Sequence, residues 1–440
     1  MAARAVRPLA TLHYQPFDAG RWILWGLTAL VFLLLPVIFR GGFAITLLSQ
    51  MGTFIIFALS YNMIFGQGGM LSFGHAVYSG LGAYFAVHAL NLASAAGGWL
   101  ASPLTVALLP LVGGIAGAFF GVVFGYLTTK KSGTPFAMIT LGIGEMVHAA
   151  SLMFPGFFGG EGGISTDRVL GKPIAGISFG PGVQVYYLIA AWCFLSMLLM
   201  FAFSRTPLGR ISNAVRDNPE RVEFIGYSTQ RVRFLVVIVS AFFAGISGGL
   251  SAINFELVTA ENVSALRSGG VLLATFIGGA MFFFGPILGG VIFIFFVVAL
   301  SDYTKAWQLY LGAFFVLMVM YAPGGVAALI LVNLRVLKHR LFGPLRDAYV
   351  GLLLCGLLLL LGIVMIVEFG YHLSLESARS TVTSLFGLPI DAAAASSWVL
   401  AIGTTVAGAL AFEWMRREFK TRWDAAQEAI EAIELRERGG

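Results

Sequence analysis

Charge is what this sequence has little of. Lys, Arg, Asp and Glu make up 11% of its 440 residues, against about 25% in an ordinary soluble chain. So few charges cannot wet the whole surface of a protein this size, which excludes a soluble globular fold. Cysteine is almost missing too. Cys193 and Cys355 both fall inside apolar runs and supply neither a disulfide framework nor a metal site. The sequence also lacks a G-x-x-x-x-G-K-[ST] phosphate loop, an H-E-x-x-H pair and a G-x-S-x-G elbow. No catalytic residue, metal or cofactor is expected on the chain, and any ATP hydrolysis falls to another subunit.

What is present is apolar and continuous. The chain is 58% hydrophobic with a mean hydropathy of +0.88. Leu24–Phe39, Pro103–Leu127, Val185–Phe203, Phe234–Ile253 and Gly351–Val367 each approach or reach the ~20 residues that cross a bilayer. None carries the polar stripe of a soluble amphipathic helix. The expectation is an all-α, polytopic transmembrane helical bundle of about 10–12 spans, with room for broken or re-entrant helices. Twelve segments fit: about 22–39, 43–65, 70–92, 103–129, 135–154, 185–203, 232–254, 269–283, 286–301, 306–322, 349–369 and 398–415. Arg4, Arg7 and Arg21 precede the first, which ends on Arg40 without a small-residue cleavage site and reads as a retained helix.

The charges give an orientation. With a cytoplasmic amino terminus, alternate crossings place Lys130 and Lys131 inside. They do the same for the loop holding Arg205, Arg210, Arg216, Arg221, Arg231 and Arg233, and for Arg335, Lys338, His339, Arg340 and Arg346. Short basic loops belong on that side. Outer loops hold far fewer positive charges, chiefly Arg168, Lys172, Arg267 and Arg379. The carboxyl terminus then also lies inside.

Most of the 55 glycines read as packing residues that let helices approach closely. Two glycine-rich breaks stand apart, Phe65–Gly69 and Ile277–Ala280, a faint internal echo of the kind seen where interrupted helices build a pathway. Polar residues in the spans gather near the first break. Asn62, Gln67, Ser72 and His75 surround it, while Thr140, Glu145 and His148 share a later span. Such residues are costly in a membrane. Two readings stand for them: a polar patch beside a solute path, or interhelical hydrogen bonding such as Glu145 with His148.

The loop Arg205–Phe234 mixes both signs of charge. Asn218–Pro219 followed by Glu220 and Glu223 is a helix-start signal, and the capped pattern from Asp217 to Gly226 suits a docking element for a soluble partner. From Glu413 the chain turns charged. Met415, Phe419, Trp423, Ala426, Ile430 and Ile433 form one helical stripe, with Glu418–Arg422 and Glu434–Arg438 as i,i+4 pairs. This predicts an amphipathic helix packed on a partner subunit.

Motifs then follow in a fixed order: GQGGMLSFGHAVYSGLGAY (66–84), TLGIGEMVH (140–148), GGEGGIS (159–165), SRTPLGRISNAVRDNPERVEFIGYS (204–228), GGAMFFFGPILGG (278–290) and YAPGGVAAL (321–329). Together they resemble the permeases of bacterial branched-chain amino acid ABC importers, of the M-subunit rather than the H-subunit type, over residues about 40 to 335. The resemblance implies a permease domain at 1–345, with 346–440 as additional spans and a cytoplasmic helix, in the bacterial inner membrane. It implies a second, H-type permease subunit, two ATP-binding-cassette ATPases holding ATP and Mg, and a periplasmic or lipid-anchored substrate-binding protein. Membrane lipid surrounds the complex and nucleic acid has no part in it. Asn62, Gln67, Ser72, His75, Thr140, Glu145 and Glu161 become candidates for the transport pathway. Arg210, Arg216, Asp217, Asn218, Glu220, Glu223 and Gly226 become candidates for the ATPase coupling loop. The family's coupling motif, E-A-A-x-x-x-G, keeps its Glu-to-Gly spacing here from Glu220 to Gly226 but loses both alanines. In the outer loop, Glu161–Gly162 replaces a Thr–Asn pair. The rival expectation is a secondary transporter or channel that uses Glu145 and His148 without ATP.

Overall fold

The computed structural model describes residues 19–339, 341–375, 382–385 and 388–439. Arg4, Arg7, Arg340, Arg379, and the side chains of Arg21 and of Arg438 in the expected Glu434 pair, lie outside the described residues. In chain order the helices are α1 (Ala19–Ile38), α2 (Gly42–Asn62), α3 (Ala76–Ala96), α4 (Pro103–Thr128), α5 (Thr134–Met153), α6 (Pro155–Phe158) and α7 (Gly182–Arg205). After these come α8 (Pro207–Asp217), α9 (Pro219–Phe224), α10 (Thr229–Phe255), α11 (Ala265–Gly278), α12 (Gly285–Ile294) and α13 (Ser301–Tyr303). The chain closes with α14 (Trp307–Tyr321), α15 (Gly325–Lys338), α16 (Phe342–Leu375) and α17 (Ala395–Gly439). Two antiparallel ladders, Ile164–Ser165 on Leu257–Val258 and Val382–Leu385 on Leu388–Asp391, are the only β-structure among the described residues outside an isolated bridge.

The chain is therefore a polytopic helical membrane protein. Among the described residues, eight helices are long and apolar enough to cross a bilayer, or nine with the bent pair α14–α15 taken as one span. Each of the twelve expected segments coincides with a helix, but the count of twelve full crossings needs correction. α11 has 14 residues, which rise about 21 Å, short of the ~30 Å hydrocarbon layer. α3 is long enough, but Ser79, Tyr84, His88 and Asn91 leave it too polar to count as an apolar span. The apolar part of α1 is also short, Trp22–Ile38.

α10 is the central post. α4 runs antiparallel along it on a small-residue seam, with Gly113, Gly117 and Gly121 facing Gly245, Ala241 and Gly249. A methyl group on Gly113 would come within 2.5 Å of the Gly245 carbonyl oxygen, so the two backbones are in direct contact. Without a hydrophobic drive between helices in lipid, such close packing is what holds them. α2 crosses another face of α10, and hydroxyls bridge the two: Ser240 Oγ donates to Ser60 O at 2.6 Å and Ser247 Oγ to Thr53 O at 2.8 Å. α3 packs against both α10 and α4, with Gly82 set between Gly245 and Gly113, and buries Tyr84, Val87 and Leu90.

The basic segments gather at one end. Lys130 lies over the Tyr126 ring, which meets Phe234 at the start of α10 beside α8 and α9. At the opposite end Arg168 clamps the 164–180 loop to the end of α10. Its guanidinium donates to the carbonyls of Phe179, Gly180, Ile253 and Asn254, and it pairs with Glu256 at 3.7 Å. Arg267 departs from expectation. It is not in an outer loop but in the first turn of α11, with its guanidinium over the Phe57 ring.

The tail also differs from expectation. α16 and α17 form an antiparallel hairpin, seated at Gly351 on Met415, Gly362 on Thr405 and Gly408 on Leu359. The stripe expected to meet a partner is covered by the chain itself. Ala426 and Ile430 pack with Val336 and Leu345, and Trp423, Leu341 and Tyr349 close around them. Phe419 meets Tyr349 at 4.9 Å, and the Glu418–Arg422 pair forms at 2.9 Å. Periodicity shows that a face is covered but not by what. Ile430→Ala should therefore cost about 2 kcal/mol, read as a lower thermal midpoint in detergent, and an unchanged midpoint would contradict this packing.

Candidate functional site

The α2 helix does not end cleanly. It widens into a π-helical turn, Met63–Gln67, and the chain then runs non-helically to His75 before α3 begins. Irregular backbone at membrane depth must be satisfied by protein, because lipid offers no hydrogen bonds. Here it is. Gly69 N donates to Phe65 O at 2.9 Å and Met70 N to Ile64 O at 2.8 Å. Phe73 N donates to Thr140 Oγ1 at 3.2 Å, Ala76 N to Ser268 Oγ at 3.0 Å, and Tyr61 Oη to Ser72 O at 3.0 Å. Gly69 takes φ +67°, a left-handed conformation open to glycine at little cost.

Five of the expected pathway residues meet at this break. Asn62 and Gln67 are buried with side-chain oxygens that find no partner among the described residues. Ser72 offers its carbonyl to Tyr61, and Thr140 holds Phe73. His75 is fully buried, with Nε2 3.0 Å from Ser60 Oγ and Nδ1 without a partner, and its ring stacks on Phe57 at 5.4 Å. The other two lie apart. Glu161 is exposed in a short turn at the end opposite the basic segments. Glu145 sits mid-way along α5 but points off the surface of the chain, with Met138, Gly142 and Ala149 on the same exposed stripe. Its expected bond to His148 does not form, because His148 Nδ1 lies 3.1 Å from Ala260 O instead.

The two glycine breaks that the sequence shows as an echo touch each other. Gly66 packs against Ala280 O, and Gly279 packs against the turn at Gly324 and Gly325. Interruptions far apart in sequence thus form one cluster of helix ends toward the basic end. α8 reaches into it. Arg216 Nη1 donates to Gly66 O while its Nε and Nη2 lie 2.9 Å from Asp217 Oδ1. Ser212 Oγ makes a long contact, 3.5 Å, to Gln67 O, and the Arg216 stem lies against Gly69.

The rest of the loop is built as its sequence predicts. Thr206 caps α8 and Asn218 caps α9, accepting from Arg221 N at 3.0 Å, with Pro219 opening the helix. Thr229 Oγ1 donates to Glu223 at 2.8 Å, while Arg210 and Glu220 are exposed. Gly226 has φ +90°, so a glycine is needed there to turn α9 into α10. The polar pattern hid the most exposed apolar feature of the loop: Phe224 is 91% and Ile225 72% exposed at its tip. Nothing in the local spacing of Tyr61, Ser60 and Ser268 marks them, and Arg267 reads in sequence as an outer-loop charge. A cleft of about 440 Å³ between Lys305–Leu309 and Ile366–Ser374 shares no lining residue with the break.

Residues 43–323 match the family model described as the branched-chain amino acid transport system permease component. The chain is 28% identical over 295 residues to the high-affinity branched-chain amino acid transport system permease protein LivM of Salmonella typhimurium, covering 62% of this chain and 67% of that protein. The Escherichia coli LivM gives the same figures. Pseudomonas aeruginosa BraD, named as a permease protein of the same kind of system, is 23% identical over 250 residues, 54% of this chain and 79% of its own. No solved structure matches.

Thr140→Val should strand the Phe73 N–H and cost about 1–3 kcal/mol, whereas Thr140→Ser keeps the acceptor. Thermal midpoints of the two variants in detergent should therefore separate, and equal midpoints would show that the break does not depend on this bond.

Proposed function

Because the chain belongs to the family of branched-chain amino acid transport permeases, we propose that it is the M-type membrane subunit of an ATP-driven importer for branched-chain amino acids or related small polar solutes. In this reading the basic end faces the cytoplasm, both termini lie there, and the membrane is the bacterial inner membrane. A second, H-type permease covers the exposed stripe of α5, which places Glu145 beside the solute path between the two. A carboxylate at mid-span is costly against lipid, about 2.5–3.5 kcal/mol, and small Gly142 and Ala149 beside it suit a close helix partner. The rival proton relay finds little support, since His148 turns to the Ala260 carbonyl. A binding protein would dock at the end that carries Glu161 and select the solute.

Two ATPase subunits would bind ATP and Mg and grip the α8–α9 loop, where Phe224 and Ile225 offer an apolar knob. Bare aromatic surface on a solvated loop favours a protein partner. The single observation that carries the reading is the bond from Arg216 to the Gly66 carbonyl. It ties the element an ATPase would move directly to the break in the membrane.

The test is Arg216→Ala in the reconstituted complex. ATP hydrolysis should continue while leucine uptake falls by about tenfold or more, the loss expected for a charge-assisted bond. Uptake that falls only in step with hydrolysis would contradict the coupling. Uptake by this chain alone, in liposomes without ATP, would overturn the importer reading in favour of the rival.

A further inference from the structure

Arg168 shows what this fold does with an arginine used for structure: five backbone and carboxylate oxygens surround it. Arg267 is treated differently. Its guanidinium lies 5.8 Å from the centroid of Phe57, near the middle of the 26-residue span Gly42–Gln67. Among the described residues its only hydrogen bond from the side chain is a long one, 3.5 Å from Nη1 to the neutral amide oxygen of Asn262. Nε is sealed from solvent with no acceptor, and no carboxylate among the described residues lies within ion-pair distance. The side chain nevertheless keeps partial exposure.

The surroundings are also incomplete. Phe57 stacks on His75, whose Nδ1 has no partner among the described residues, and one turn further along α3 the buried Ser79 Oγ has none among them either. Asn262 packs against the same helix at Gly80. Arg267 stands in the first turn of the 14-residue α11, where the free amides add positive potential. A charge held at mid-depth without a counter-charge calls for an anion that comes and goes. The planar guanidinium fork fits a carboxylate bidentately, which an ammonium does not.

We infer that Arg267 receives the carboxylate of the solute as it passes the middle of the membrane. This rests on the importer reading above and names the residue that recognises the invariant end of an amino acid. The hydrophobic side chain is left to the rest of the path.

The test uses the full complex in proteoliposomes, with leucine and isoamylamine, which has the same hydrocarbon chain and no carboxylate, as probes. Phenylglyoxal should form an adduct on Arg267, read by peptide mass spectrometry. Saturating leucine should slow it about tenfold, and isoamylamine should leave it unchanged. Arg267→Gln should lower kcat/KM for leucine uptake by roughly ten- to hundredfold, with partial recovery in Arg267→Lys and an undiminished yield of the assembled complex. No adduct, or equal protection by both probes, would overturn the assignment. So would loss of the companion subunit in Arg267→Gln restored by Arg267→Lys, which would mark an ion pair with that subunit. Normal uptake by Arg267→Gln beside an active wild type counts against Arg267 alone. A wild-type complex with no ATP-dependent leucine uptake counts against the importer reading and takes this inference with it.

Discussion

A peptide group that leaves a helix inside a hydrocarbon layer finds no water, so the protein must bind it or pay several kcal/mol for each group left bare, an order-of-magnitude cost of roughly 2–7 kcal/mol. The stretch from Gly68 to Ala76, the first residue of α3, depends on that rule. Thr140 on α5, Ser268 on α11 and Tyr61 on α2 each supply one hydrogen bond to it. Three helices are thereby committed to the same short segment, and none can shift far without losing a bond. Of the three, α2 packs on α10, and α11 packs in turn on α2 and α12.

The same constraint sets what a movement of α8 would act on. A regular helix would pass from one face to the other as a stiff rod. Here the rod stops at a π-helical turn whose last carbonyls, those of Gly66 and Gln67, are taken by Arg216 and Ser212 of α8. The interruption at Gly279 packs on one side of this turn, through Gly66 and Ala280, and on another turn at Gly325. A displacement of α8 therefore bears on helix ends rather than on helix sides. Charge follows the same geometry. Glu145 and Arg267 belong to helices that flank the break, and neither is paired with an opposite charge among the described residues.

How much of this can be read in the sequence depends on the range of the signal. Hydropathy marks each apolar segment because the bilayer demands it locally, and Asn218–Pro219 marks the start of α9 because capping is local too. The Gly66–Gly69 break is legible because glycine tolerates the backbone it needs. Local signals fail where the answer lies across space. Nothing near Gly66 in sequence says that Ala280 will touch it. Glu145 and His148 have helical spacing, yet His148 is claimed by a carbonyl on another element. Arg267 sits at a span boundary, where a loop charge and an inward-facing one look alike. The stripe of Phe419, Trp423 and Ile430 shows a covered face, and only the fold shows that Val336, Leu345 and Tyr349 cover it.

Under the proposed function, α8 and the break move as one body when ATP binds to the ATPase subunits. Distances between spin labels measure it directly, after replacement of Cys193 and Cys355. A label at exposed Arg210 on α8 and one at Leu71 in the break should keep their separation on ATP binding in the assembled complex. The separation from Leu71 to exposed Tyr126 on α4 should change. A Leu71–Tyr126 distance that stays fixed while Arg210 moves away from Leu71 would contradict the account.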